Sequence, residues 1–240
     1  MLDAAYFRKG FTEKRSGKYK QYKQIYELNP EIFYFHHRLR FADKKVLDYI
    51  KNKDILDCGA YVGDSLLVLR NYTNRNIYRY EFSSPNLSMF NKVMQANNVK
   101  SDYVLRPVAL GDENKIIQIS NQNNVSMANR IISGKDLSVE MVTIDSEKGK
   151  FKFKAGFIKM DVEGFGWNVI KGAIKTIQED RPVLSLGVYH NPEELFKIKP
   201  FLEENLPNYK FEFQLQQFDT KEFHDMTLIG YQKEIFDDEK

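Results

Sequence analysis

Asp57-Cys58-Gly59-Ala60-Tyr61-Val62-Gly63 follows the apolar pair Ile55-Leu56 and precedes the apolar run Leu66-Leu67-Val68-Leu69. That order reads as strand, glycine turn, helix, the opening of a nucleotide-binding α/β unit. Gly59 frees the turn to take backbone angles that a Cβ forbids, and Gly63 lets the backbone approach a ligand closely. Asp57 separates two cofactor classes. Turns that bind dinucleotides aim backbone amides at a pyrophosphate. A carboxylate there repels phosphate and suits a cationic amino group, such as that of S-adenosylmethionine (SAM).

Working outward, strand and helix signals alternate on both sides of this turn. Asn76 to Phe82 reads as a second strand, and Ser84-Pro85 opens a helix with Ser at the N-cap and Pro at the first position. Tyr103 to Ala109 is a third strand. Residues 115–144 lack helical periodicity and read as a strand-rich insertion. Ala155 to Asp161 is a fourth core strand, 164–178 one helix with Trp167, Ile170, Ile174 and Ile177 inward, and Val183 to Tyr189 a fifth strand. Asn191-Pro192-Glu193-Glu194 caps and opens the next helix. Phe211 to Phe218 and Met226 to Gln232 form a terminal strand pair. Alternation of this kind predicts a mostly parallel seven-stranded sheet with helices on both faces.

Residues 1–45 differ in being rich in Tyr, Phe, Lys and Arg. Tyr19, Tyr22 and Tyr26, and later Phe33, Phe41 and Val46, recur at helical spacing. Two helices broken at Asn29-Pro30 are expected, forming a helical cap (1–45) on an α/β domain (46–240). The basic residues Arg8 to Lys23 read as a solvated face.

Composition narrows the class. The chain has 240 residues, 42% of them hydrophobic and 29% charged, and a formal net charge of +3. That is enough apolar content for a core and too mild a charge to argue for nucleic acid. A single cysteine excludes an internal disulfide framework. No 18-residue apolar stretch is present, and the N-terminus lacks the apolar centre of a secretory signal. The cytosol is the expected address.

In an open α/β sheet the ligand lies beyond the carboxyl ends of the strands. The first strand ends at Asp57, Gly59 and Ala60. The second ends at Glu81, which follows Gly59 by 22 residues, the spacing of an acid that binds ribose hydroxyls. The third ends at Val108, Ala109 and Leu110, where an adenine edge would rest. The fourth ends at Asp161 and Glu163, the fifth at Tyr189 and His190. In Lys159-Met160-Asp161-Val162-Glu163-Gly164, alternation puts Lys159 and Asp161 on one side. A buried lysine needs a partner, and Asp161 or Glu163 is the natural one.

These segments, together with Val142-Thr143-Ile144-Asp145 and Val169-Ile170-Lys171-Gly172-Ala173, occur in the order seen in the FkbM family of SAM-dependent methyltransferases. The chain resembles that family over about residues 54–202. The resemblance implies a Rossmann-like class I methyltransferase fold, SAM as donor, and O-methylation of a sugar, glycan precursor or secondary metabolite. It implies cofactor contacts from the turn and helix start (Asp57, Gly59, Ala60, Tyr61, Gly63, Asp64, Ser65). Others come from later strand ends (Glu81, Phe82, Ala109, Leu110, Asp161). Phe82 stands where the family usually has Pro, and Gly166 where a Glu is common.

For the chemistry, a base within reach of an acceptor hydroxyl helps. His190 and Asp161 are candidates, with Lys159 and Glu163 as orienting partners. A divalent ion could be held by Asp161, Glu163 and His190, but no fixed-spacing ligand motif accompanies them, so no metal is expected. Cys58 reads as a packed thiol. The partner expected is a small-molecule or carbohydrate acceptor. The aromatic N-terminal helices could pack against a second copy of the chain, giving a homodimer, as easily as over the pocket. RNA methylation is the alternative, disfavoured by the absence of an Asn/Asp-Pro-Pro-aromatic turn after the fourth strand and by the acidic mouth. A non-catalytic SAM-binding protein is a second alternative. An NAD-binding oxidoreductase predicts Gly two positions after Gly59, where Tyr61 stands.

Overall fold

The computed structural model describes residues 22–23, 29–100, 103–119, 137–215 and 226–236. Asn29 caps α1 (Pro30–Phe33), accepting from the Glu31 amide, and Pro30 starts the helix where an amide has no partner to lose. His36, His37 and Arg38 then take left-handed backbone angles in succession. A 3-10 turn, Leu39–Phe41, leads to α2 (Lys44–Lys51), capped by Asp43. The break expected at Asn29-Pro30 is there. One continuous helix beyond it is not, and Phe41, expected inward, is 61% exposed. The earlier helix falls outside the described residues, apart from Tyr22, whose ring packs on Phe33.

From here the α/β pattern follows the sequence. It runs β1 (Asp54–Cys58), α3 (Asp64–Leu69), β2 (Ile77–Tyr80), α4 (Ser84–Ala96) and β3 (Tyr103–Arg106). Next come β4 (Ala109–Leu110), β5 (Lys115–Ile119), β6 (Leu137–Val142), α5 (Ile144–Phe151) and β7 (Ala155–Met160). The chain continues through α6 (Gly166–Lys171), α7 (Ile174–Asp180), β8 (Val183–Gly187), α8 (Pro192–Asn205), β9 (Tyr209–Leu215) and β10 (Met226–Gln232).

The main sheet has seven strands in the order β3-β2-β1-β7-β8-β10-β9. Strands β3, β2, β1, β7 and β8 pair in parallel, and β10 is antiparallel to both β8 and β9. Each face carries its own core. Leu56, Tyr78, Ile158 and Leu184 point to the side covered by Ile144, Val169, Ile177, Ile198 and Leu202. Ile55, Ile77, Phe157 and Val183 point to the other, against Phe33, Val46, Ile50, Leu69, Phe90 and Val93. This is the two-residue strand period acting on a sheet buried on both sides. Phe33 and Leu39 belong to the second core, so residues 30–41 pack into the same body as the α/β unit, and α2 runs across position 45.

Several segments depart from expectation. The third strand stops at Arg106, and Ala109-Leu110 belong to a separate sheet in the order β4-β6-β5. The strand-rich insertion is present as β5 and β6, but Ile144 begins α5 because Thr143 caps it, accepting from the Ser146 amide. The helix expected over 164–178 is two helices. Gly172 lies between them, its α-carbon so close to the Gly111 carbonyl that a Cβ would stand 2.0 Å from that oxygen. Asp145 caps the second, accepting from the Thr176 amide and hydroxyl. The Val142–Asp145 motif is therefore structural. Ser83, not Ser84, is the N-cap of α4.

Candidate active site

The glycine turn is held from beneath by a row of charges laid across three strands. Arg79, Asp57 and Lys159 are register partners on β2, β1 and β7. All three are buried. Arg79 donates through Nε and Nη2 to Asp57 Oδ2, and Lys159 Nζ lies 3.1 Å from Asp57 Oδ1. The same cations grip the turn: Lys159 donates to the Gly59 carbonyl at 2.7 Å, and Arg79 to the carbonyls of Ala60 and Gly63. Burial alone would raise the Asp57 pKa, but Arg79 and Lys159 hold it below the ordinary value. Burial likewise works against the Lys159 charge, and Asp57 and Asp161 together raise its pKa.

Two expectations change here. Asp57 does not offer a carboxylate to a ligand's amino group; it is 0% exposed and its charge is taken by two cations. The partner of Lys159 is Asp57, not Asp161 or Glu163. Arg79 carried no assignment from sequence, because only strand register places it beside Asp57. Cys58 is buried, and burial pushes its thiol far above the ordinary value, so it is a packed thiol.

Above the row, Gly59 takes φ +83°, and a Cβ on it would sit 1.8 Å from the Asp161 carbonyl oxygen. Only glycine fits where β1 and β7 close on each other. Tyr61, also left-handed, stands 57% exposed at the tip of the turn and donates its amide to Glu81 Oε2 at 3.0 Å. Glu81 Oε1 accepts from the Ser83 amide. Burial raises the Glu81 pKa against those donors. Asp64 is buried and its pKa raised for the same reason, while its Oδ1 accepts from the Ser65 amide. The Ser65 hydroxyl meets His37 Nε2 at 2.9 Å. Burial, with Lys159 next, lowers the His37 pKa to about 3, so this imidazole is neutral. His37 reaches the first turn of α3 from the N-terminal segment, a placement no local pattern signals.

Phe82 is half-buried against Ala109, Ile117, Ile119, Val139 and Met141. Ala109 and Leu110, expected beside an adenine, are 1% and 3% exposed within packed clusters. Their side chains are committed to the core.

The second half of the site lies past the ends of β7 and β8. His190 Nε2 stands 3.2 Å from Asp161 Oδ1 and 3.8 Å from Glu163 Oε2, and Nδ1 stands 3.1 Å from Glu194 Oε2. Tyr189 stacks on the His190 ring with centroids 4.0 Å apart, and its hydroxyl lies 3.3 Å from both Asp161 oxygens. Burial opposes the imidazolium, but Asp161 and then Glu194 override it and raise the His190 pKa to about 10. The His190 hydrogen bond and Lys159 bring Asp161 down to about 2. In this arrangement His190 carries a proton and cannot accept one, which removes it as general base. Asp161, with its side chain 38% exposed, is the carboxylate left open.

Glu194 was read from sequence only as a first-turn acid. Its side chain is 0% exposed, accepts from the Gly166 amide at 2.8 Å, and holds His190. The spacing of four from His190 was the available signal. A Cβ on Gly166 would fall 2.7 Å from Glu194 Oε1, which explains why glycine stands there. The asparagine cap read at Asn191 holds: its side chain accepts from the Glu194 amide.

The glycine turn, Glu81 and the Asp161–His190 cluster thus meet at the carboxyl ends of adjacent strands, while Ala109 and Leu110 do not join them. Comparison with other proteins bears on the family and the fold. A family model described as the methyltransferase FkbM domain matches residues 57–227. The fold is similar to that of the methyltransferase FkbM from Methylobacillus flagellatus, with a TM-score of 0.63 and 19% identity over 88% of this chain and 49% of that one. This chain therefore spans about half the length of that protein. An rRNA methylase from Streptococcus thermophilus shares the fold at TM-score 0.52 and 7% identity, over 86% of this chain and 99% of that one. Among curated proteins none matches the chain in sequence.

Proposed function

We propose, from the premise that this chain belongs to the FkbM methyltransferase family, that it transfers the methyl group of SAM to a hydroxyl oxygen of a small, polyhydroxylated acceptor. The observation that carries the reading is the meeting of a Gly59–Gly63 cradle and Glu81 with an open, hydrogen-bonded Asp161 on the neighbouring strand end. The residues fit the cofactor. Gly59 and Gly63 shape the turn by packing against the Asp161 carbonyl and the Phe90 and Met94 side chains and not by leaving room for a ligand; Glu81 stands one strand over, where ribose hydroxyls would bind. Bound SAM would supply an already activated sulfonium methyl.

What remains for the chain is positioning. Asp161 accepts a hydrogen bond from the acceptor hydroxyl and aims its oxygen. His190, held by Glu194, fixes the Asp161 carboxylate, and Tyr189 closes one side. The hydroxyl proton of the acceptor, held at Asp161, would pass to the solvent that reaches this carboxylate. The acidic mouth disfavours a phosphate-rich acceptor, which speaks against the RNA reading.

Calorimetric titration with S-adenosylhomocysteine (SAH), the demethylated product, and with NAD as control tests the cofactor. Micromolar SAH binding that Glu81→Ala weakens at least about tenfold supports the reading, since losing hydrogen bonds to a charged group costs 1.5–3 kcal/mol. NAD binding in place of SAH would overturn it.

A further inference from the structure

Three donor atoms from two strand ends converge: Asp161 Oδ1, Glu163 Oε2 and His190 Nε2, with the ligand atoms of the three residues all within 4.8 Å of one another. We propose that this trio binds a divalent metal ion of the Mg²⁺/Mn²⁺ kind, and that the ion engages the acceptor. Its part in the reaction rests on the methyl-transfer reading; the binding itself does not.

The geometry favours an ion over a chance cluster. Two ligands at right angles around an octahedral ion at about 2.1 Å are about 3 Å apart, and opposite ligands about 4.2 Å. The separations from His190 Nε2, 3.2 and 3.8 Å, fall in that range. The imidazole is also oriented from behind. Glu194, wholly buried, occupies Nδ1, which leaves Nε2 aimed at the two carboxylates. A carboxylate on the far nitrogen is the arrangement that orients metal-bound histidines in general. Glu194 is itself pinned by the Gly166 and His190 amides. Two oxygens and one nitrogen suit Mg²⁺ or Mn²⁺ better than a soft ion.

Glu163, one of the three ligands, is 71% exposed, so the cluster opens to solvent. An octahedral ion held by three side chains would keep three positions for other ligands. An acceptor bearing two neighbouring oxygens, a vicinal diol or an α-hydroxy acid, could occupy two of them. A hydroxyl bound to such an ion loses its proton more readily, which a free alcohol needs before it attacks.

The test is titration of metal-free full-length protein with Mn²⁺, followed by electron paramagnetic resonance and calorimetry, with SAH binding measured in parallel. One Mn²⁺ per chain is expected, with nitrogen hyperfine coupling from one imidazole. Glu163→Gln, at an exposed position, should weaken Mn²⁺ at least tenfold and leave SAH affinity within twofold. Glu194→Gln should weaken it about 10–100-fold through the histidine. Absence of Mn²⁺ binding in a protein that binds SAH overturns the metal site and leaves the methyltransferase reading standing. Mn²⁺ that binds without nitrogen coupling, or equally well to Glu163→Gln, is surface binding and also overturns it. Mn²⁺ binding with the expected losses but no SAH binding upholds the metal site and removes the cofactor reading instead.

Discussion

Two carboxylates end neighbouring strands of this sheet and lead opposite lives. Asp57, on β1, is sealed between Arg79 and Lys159 with no exposure. Asp161, just past β7, keeps 38% of its side chain open and gathers His190 and Tyr189 around it. Both follow an apolar strand and both precede a glycine. What separates them is the neighbouring register: Asp57 has a cation on each flanking strand at its own level, whereas Asp161 has passed beyond the last strand pair. A buried carboxylate whose charge is matched on both sides shapes the backbone. One that faces solvent with spare lone pairs is available to a ligand.

Substitution should separate the two regions, and the largest effect is expected at the buried row. Asp57→Asn leaves two buried cations without their shared anion and should cost about 3–5 kcal/mol in urea denaturation. A loss below about 1 kcal/mol would show that the row is not a stabilising unit. The same row predicts an acid limb. Because the folded pKa of Asp57 is depressed from 3.8, its contribution is present above the unfolded value and lost as pH falls through the folded one. Wild-type stability should therefore decline below about pH 4, and the decline should be shallower in Asp57→Asn.

At the mouth the effect should fall on turnover. His190→Asn should slow methyl transfer by about 100-fold, the cost of letting Asp161 move out of position, with little change in SAH affinity. Equal loss of SAH binding would mean that His190 belongs to the cofactor pocket instead. An intermediate case is Ser65→Ala, which strands the neutral, buried His37. It should lower stability by about 1–3 kcal/mol, read by thermal denaturation. No loss would mean that the N-terminal segment docks without that bond. The smallest effect is expected of Glu163→Gln: within about 0.5 kcal/mol of wild type in urea, as befits an exposed position. A larger loss would place Glu163 in the fold and not at the mouth.

Much of this was legible in the chain. The strand–turn–helix around Gly59, the cap at Asn191, the terminal strand pair as far as Leu215 (216–218 lie outside the described residues) and the polar residues after β7 and β8 stand where periodicity and capping put them. Ala109 and Leu110 misled because a strand that bends from one sheet into another shows the same apolar run as a strand that continues. The single helix expected over 164–178 divides because Gly172 passes against the Gly111 backbone, a contact 61 residues apart in sequence. His37 was invisible because its partner, Ser65, is reached across the fold by a segment with no regular period.

The sequence by itself determined the elements and their order, because 2- and 3.6-residue periods, glycine turns and caps are local properties of neighbouring residues. It also put Asp161, Glu163 and His190 at strand ends. Only the tertiary structure decided which charges meet. Arg79, Asp57 and Lys159 lie 22 and 102 residues apart and become neighbours through parallel register alone. Glu194 acquires its hold on His190 by being buried with it. Whether a carboxylate braces a turn or faces a ligand is set by the cations and the water around it, and those are assembled only when the strands are laid side by side.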